Sequence, residues 1–236
     1  HRLSPAVEEY IYPAMEDYKV DFVVDSGMHS RTINLPLKPF TLIGATTRAG
    51  LLSPPLRTRF GITHHLEFWS AEDLLHRCRM SATMLGLEYE PKALAALAAR
   101  ARGTPRIANR LLRRCRDYAQ VRGDGRLTVE AVEQALKLEK IDHLGLDELD
   151  RRFLRVIIDT YKGGPVGIET VAATLGEETD TLVDVVEPYL LQCGLLARTR
   201  RGRLATVKAY EHLKITYVPR ADDGGNLFDA AAEEEA

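Results

Sequence analysis

The spacing of apolar residues changes character several times along the chain, and each change marks an element. In "SPAVEEYIYPAMEDY", Val7, Tyr10, Ile11 and Ala14 recur at helical spacing behind Ser4, an N-cap residue, and Pro5, suited to the first helical turn. "VDFVVDSGMHSRTINLP" alternates on both sides of the turn-prone Asp25-Ser26-Gly27 and predicts a β-hairpin over 20–35. Val20, Phe22 and Val24 share one face of that ribbon and Val23 takes the other, so the ribbon wants a partner surface. "FTLIGATTRAG" is an apolar run of strand length ending in Gly, Thr and Arg, the pattern of a buried parallel strand that delivers polar groups at its end.

From residue 69 the period is helical. Ser70 and Asp73 form an S-x-x-D capping signal ahead of "AEDLLHRCRMSATMLG". "PKALAALAARARG", "TPRIANRLLRRCRDYAQ" and "VEAVEQALKL" give three more helices, the last two capped by Thr104 and Thr128. After residue 147 come three helical stretches, "DELDRRFLRVIIDTY", "GIETVAATLG" and "EETDTLVDVVEPYLLQCG". "LLARTRRGRLATVKAY" then reads as two strands around an Arg-Arg-Gly turn. Three helices and a basic hairpin are the signature of a winged helix. The end, "ADDGGNLFDAAAEEEA", is acidic and low in complexity and reads as a disordered tail over 217–236.

Composition changes little in this picture. Of 236 residues 45% are apolar and 28% charged, enough for real cores. A net charge of −2 gives no global attraction to nucleic acid or anionic membrane, so any such affinity has to be local. No apolar run approaches the roughly 20 residues of a membrane span, and a signal-peptide pattern is lacking. Cys78, Cys115 and Cys193 follow no metal-ligand spacing, which predicts structural thiols, a reducing cytosol and no metal site. The first residue is His, and the chain is expected to begin inside a longer one.

The candidate chemistry is cationic. "RTRFG" sets Arg57 and Arg59 at the end of an α/β segment, with no acid following until Glu67. Arg stays charged and its fork matches phosphate oxygens. Surface charge is the plain alternative for either residue. Arg106 falls in the first turn of a helix, where a cation opposes the dipole and a phosphate would be welcome. Thr46 and Thr47 stand just past the apolar strand, where open α/β sheets gather ligands; local loop hydrogen bonds are the alternative. No G-x-x-x-x-G-K-[ST] loop occurs in the sequence, so only half of a nucleotide site is legible. The third helix of the last unit carries Glu177, Glu178, Asp180, Asp184 and Glu187 and suits a major groove poorly. The hairpin after it carries Arg198, Arg200, Arg201, Arg203 and Lys208, a wing that would meet phosphate without strong sequence preference. A helix with Arg110, Arg113, Arg114 and Arg116 reads as a solvated or subunit-facing surface.

Taken together, "HRLSPAVEEYIYPAMEDY", "FTLIGATTRAG", "LRTRFGI", "ARGTPRIANRLLRR" and "GGPVGIETVAATLGEE" resemble the RuvB family of the AAA+ class, Holliday-junction branch-migration motors, from His1 to about Leu213. The fold class this implies is α/β plus all-α: residues 1–68 the end of the large ATPase subdomain, 69–140 a helical lid, 147–216 a winged helix. The family's Walker A loop and Walker B acids would lie upstream of His1, and with them most ligands of ATP and Mg2+. By resemblance Thr47 is sensor 1 with Thr46 the alternative, Arg59 the arginine finger with Arg57 its runner-up, and Arg106 sensor 2. Glu16, Asp17, Tyr18 and Trp69 match positions near nucleotide, Trp69 standing where the family usually has Tyr. Arg198 and Arg203 match the DNA-contacting pair.

The resemblance also implies partners. These are duplex DNA and the Holliday junction, a RuvA-type protein docking on the 20–35 hairpin, and a RuvC-type resolvase in the wider complex. A homo-oligomeric ring, expected to be a hexamer, would work in the cytoplasm, in recombination, repair and the SOS response. On this reading Arg59 has no local partner, because its phosphate is held by the next subunit, and the 236 residues alone are inactive. Two rival readings remain: a non-enzymatic winged-helix DNA-binding protein, and an AAA+ ATPase of the clamp-loader type.

Overall fold

The computed structural model describes residues 1–24 and 31–217, so the predicted turn at Asp25-Ser26-Gly27 and the tail from residue 218 lie outside the described residues. The chain divides into two compact units, His1–Glu67 and Phe68–Ala236.

In the first unit, helix α1 (Pro5–Asp17) starts as the sequence predicts, with the Ser4 side chain accepting the Val7 N–H and Pro5 in the first turn. It ends at Tyr18, in the left-handed region at φ 51°. Strands β1 (Lys19–Val24) and β2 (Arg31–Pro36) pair antiparallel with Lys19 opposite Pro36 and Phe22 opposite Ile33. Phe22, Ile33 and Leu35 of this ribbon are exposed. Helix α2 (Pro54–Arg59) is capped by Ser53, and its Leu56 is buried. One expectation fails here. Residues 40–44 form no strand, and Ile43 is 87% exposed. A strand exists only through its neighbours' hydrogen bonds, and among the described residues none lies alongside. Phe60 does pack on this stretch: a Cβ added at Gly44 would stand 3.2 Å from its ring.

The second unit holds two apolar cores. Helices α3 (Ala71–Met84), α4 (Pro91–Ala99), α5 (Pro105–Arg122) and α6 (Val129–Leu138) enclose the first around Leu74, Cys78, Leu97, Leu112, Cys115 and Leu136. Ser70 and Thr128 cap as predicted. Thr104 does not, since its hydroxyl donates to the Arg102 carbonyl at 3.2 Å. Burial pushes the Cys78 and Cys115 thiols up to about 11 and about 12, leaving both inert.

The second core lies among α7 (Glu148–Arg155), which widens into a π turn over Val156–Thr160, α8 (Ile168–Leu175), and a third helical run. That run consists of α9 (Thr179–Thr181), a π turn Leu182–Val186 and α10 (Glu187–Gln192). Strands β3 (Leu196–Thr199) and β4 (Gly202–Ala205) make the wing, with Arg203 bridged to Val166. The strand pattern expected to run through Tyr210 stops at Ala205. Val207–Leu213 is helix α11, which turns Ala209 and Tyr210 into the core. No helix of the described residues is long and apolar enough to cross a membrane.

Candidate functional site

The first unit builds an arginine platform from two short helices. Along α1, Glu8, Tyr12 and Glu16 are spaced by four residues and share a face. The Ser53 hydroxyl that caps α2 donates to Glu8 Oε2 at 2.6 Å, and the Tyr12 hydroxyl donates to the same oxygen at 2.7 Å. Those two bonds hold the Glu8 carboxyl below its ordinary range, Ser53 first. They also fix where the end of α2 falls. There Arg59 lies with its Cζ 4.2 Å above the Tyr12 ring, its Nη1 donating to the Pro55 carbonyl at 2.9 Å. Its Nε sits 2.8 Å from Glu16 Oε1, yet it is buried and meets no acceptor in hydrogen-bonding geometry.

The expectation that Arg59 lacks a local partner is therefore corrected. Glu16 is far away in sequence but adjacent once α1 and α2 pack. Arg57 is exposed, with no ion pair among the described residues. Thr46 Oγ1 accepts the Arg48 N–H at 3.1 Å and lies 2.7 Å from His1 Nδ1, while Thr47 is exposed. Asp17 pairs with Lys19 at 3.0 Å, and Tyr18 meets the Phe40 ring edge-on. Of the predicted residues in this unit the fold brings together Glu16 and Arg59; Thr46 and Thr47 stand apart from both, with no bond to them.

In the second unit Arg106 is exposed in the first turn of α5, a helix end without any acid. With Asn109, Arg110 and Arg113 it lines an open cleft of about 580 Å³. Trp69 is tied to the loop that leads into this helix, its backbone N–H donating to the Gly103 carbonyl at 2.8 Å. Two predicted nucleotide residues thus share one short stretch of backbone.

The wing divides its arginines. Arg198, Arg200 and Arg201 are exposed. Arg203 stands opposite Arg198 in the ladder, a like-charge pair that would cost stability if both faced each other. Instead Arg203 turns onto Glu187, Nε donating to Oε1 at 2.5 Å and Nη2 to Oε2 at 3.3 Å. Glu187, read from sequence as one of the acids that make its helix a poor reader of a major groove, is 2% exposed. It is a buried counter-charge.

The largest omission from the sequence reading is Arg102. Its side chain is buried, donating from Nη1 and Nη2 to Asp150 at 2.9 and 3.2 Å, with Cζ 4.5 Å over the Tyr189 ring. The "DELD" repeat of Asp147 and Asp150 was the available signal, since it makes a reciprocal capping box at the start of α7.

Residues 1–66 match the Holliday junction DNA helicase RuvB P-loop domain, residues 69–142 the RuvB AAA lid domain, and residues 143–214 the RuvB C-terminal winged helix domain. Solved structures of Thermotoga maritima RuvB are similar to most of this chain. One mutant form has a TM-score of 0.83 at 48% identity, covering 93% of this chain and 68% of that one. The structure described as the RuvB Holliday junction branch migration motor has a TM-score of 0.81 at 47% identity, with the same coverage.

Proposed function

The chain belongs to the RuvB family, and on that premise we propose that it is a subunit of an ATP-driven ring that moves Holliday junctions along duplex DNA. The observation that carries the proposal is Arg59. A buried guanidinium N–H without a hydrogen bond costs on the order of 1–3 kcal/mol, and its Glu16 partner is half exposed. Such a cation is poised to exchange its carboxylate for a stronger anion. Arg59 can offer its guanidinium to triphosphate held by a neighbouring subunit, and Arg106, at an acid-free helix end, is a separate cation suited to an anion. ATP and Mg2+ are the cofactors that membership of the RuvB family implies.

On this reading Arg59 is the finger completing the neighbouring subunit's site, with Arg57 its alternative, and Thr47 or Thr46 orients the attacking water. Arg106 couples the lid to nucleotide beside Trp69. Glu16, Asp17 and Tyr18 border the pocket, and Glu16 additionally parks the finger. Bound ATP supplies the phosphoryl chemistry. The chain's own residues neutralise charge, and the lid carries the motion to the wing. Arg198, Arg200 and Arg201 meet phosphates, while Arg203 has Nη1 to spare for a phosphate and Glu187 to orient it. The exposed Phe22, Ile33 and Leu35 favour the β1–β2 ribbon as the docking face for a RuvA-type partner. A RuvC-type resolvase, a hexameric ring and a cytoplasmic setting complete the proposal.

A mixing experiment tests it. The 236 residues alone are expected to turn over no ATP, and the full gene product to do so with stimulation by DNA. Arg59→Ala should lower that turnover by about 10³-fold or more while nucleotide still binds. Adding a variant defective in the phosphate loop should recover part of the rate by pairing intact half-sites. A mutant that stays dead at every mixing ratio, or a wild type fully active as a monomer, would refute a shared site.

A further inference from the structure

Two local rules are broken at Arg102. Its backbone lies in the left-handed region at φ 56°, where glycine is the usual occupant. Its charged side chain is only 9% exposed. Costs of both kinds persist where the surroundings over-determine them. Here the surroundings belong to the next domain. Asp150, 1% exposed, accepts both guanidinium nitrogens and also the Asp147 N–H, so Arg102's partner is the residue that closes the cap of α7. Tyr189 of α10 takes the guanidinium on its ring and donates its hydroxyl to the Leu144 carbonyl at 2.6 Å.

The connection between the two cores has little slack. Arg151 donates to the Lys140 and Leu146 carbonyls at 2.6 and 2.7 Å, and His212 Nε2 lies 2.8 Å from Asp142 Oδ2. At Gly145 a Cβ would come 2.5 Å from the Arg100 carbonyl, so linker backbone lies directly against the loop that carries Arg102. That loop leads straight into α5 and Arg106, and its Gly103 carbonyl holds Trp69.

We infer that Arg102 is a positioning residue that locks the lid helices to the winged helix as one lever, so that a displacement at Arg106 reaches the wing undiminished instead of being absorbed at a hinge. The lever rests on the proposed function for its purpose, though its rigidity does not. A buried ion pair is a poor source of net stability but tolerates only one geometry, which suits this task.

The test uses the full-length protein with spin labels on non-natural residues at Met84 of α3 and Val185 of the third helical run, both exposed. The wild type should give one narrow distance distribution. Arg102→Ala, and the isosteric Asp150→Asn should the first variant unfold, is expected to widen it about twofold or more, with Arg102→Lys intermediate. In the assembled motor the same variants should keep DNA-stimulated ATP turnover within about twofold while junction movement falls about tenfold, the span of an ordinary coupling energy. Unchanged distributions in folded variants, or turnover and movement falling in parallel, would overturn the lever. A wild type that moves no junctions would refute the motor, and leave the distance measurement to decide the joint.

Discussion

A guanidinium cannot shed its charge, so each buried arginine has to be matched where it lies. The chain matches one buried arginine and two half-buried ones with acids that are remote in sequence: Asp150 for Arg102, Glu16 for Arg59 and Glu187 for Arg203. Asp150 carries the heaviest burden. Burial pushes its carboxyl from the ordinary 3.8 up to about 6, against the pull of Arg102, with the neighbouring Asp147 charge adding to the rise. Between about pH 4 and pH 6 the folded chain then keeps a proton that the unfolded chain has lost. Stability from this group accordingly declines as pH rises through that window and levels off above it, by on the order of 2–3 kcal/mol. Urea unfolding at about pH 4.5 and pH 7 should reveal the decline in the wild type and show it missing in Asp150→Asn. Equal pH slopes in the two proteins would mean that Arg102 compensates the carboxylate in full.

At the scale of elements, patterns that a segment completes by itself were legible in the sequence. Helices α1, α3, α5 and α6 follow their apolar spacing and start at or beside the marked N-caps, because each makes its hydrogen bonds internally. The apolar run at 40–44 reads as a strand from its own residues, but a strand depends on bonds from elsewhere, and none forms there among the described residues. Helix α11 was hidden behind the alternation of the wing. In the sequence Glu187 reads only as one acid of its helix and Asp150 carries no reading, because burial of a charge is decided by a partner that spacing alone does not identify. The wing also depends on a glycine. Gly202 has φ 140°, and a Cβ there would stand 2.4 Å from the Val166 carbonyl, inside the bridge that fastens β4 to the domain. Gly202→Ala should cost about 2–3 kcal/mol, measured as an earlier denaturant midpoint by circular dichroism, and should weaken duplex binding with it. A midpoint equal to wild type would show that the wing relaxes around the methyl group.

For the molecule as a whole the balance of charge is −2, so attraction to DNA has to come from where the positive residues are displayed. Arg198 and Arg203 are both wing cations, yet the fold separates them: one is exposed, the other already neutralised by Glu187 at the surface of the core. Counterion release distinguishes these states, since only a charge that replaces condensed ions contributes to the dependence of binding on salt. Arg198→Ala should flatten the slope of log K against log salt by about 0.9 and weaken binding alike on unrelated duplexes. Arg203→Ala should lower affinity but move the slope by less than about half as much, because it removes a neutral pair's cation and strands Glu187. Glu187→Gln should steepen the slope by freeing the guanidinium. Fluorescence anisotropy titrations of the full-length protein over a salt series would read all three. Equal flattening by the two arginine variants would mean that Glu187 no longer neutralises Arg203 once DNA is bound, whereas loss on one sequence alone would make the wing a reader of bases.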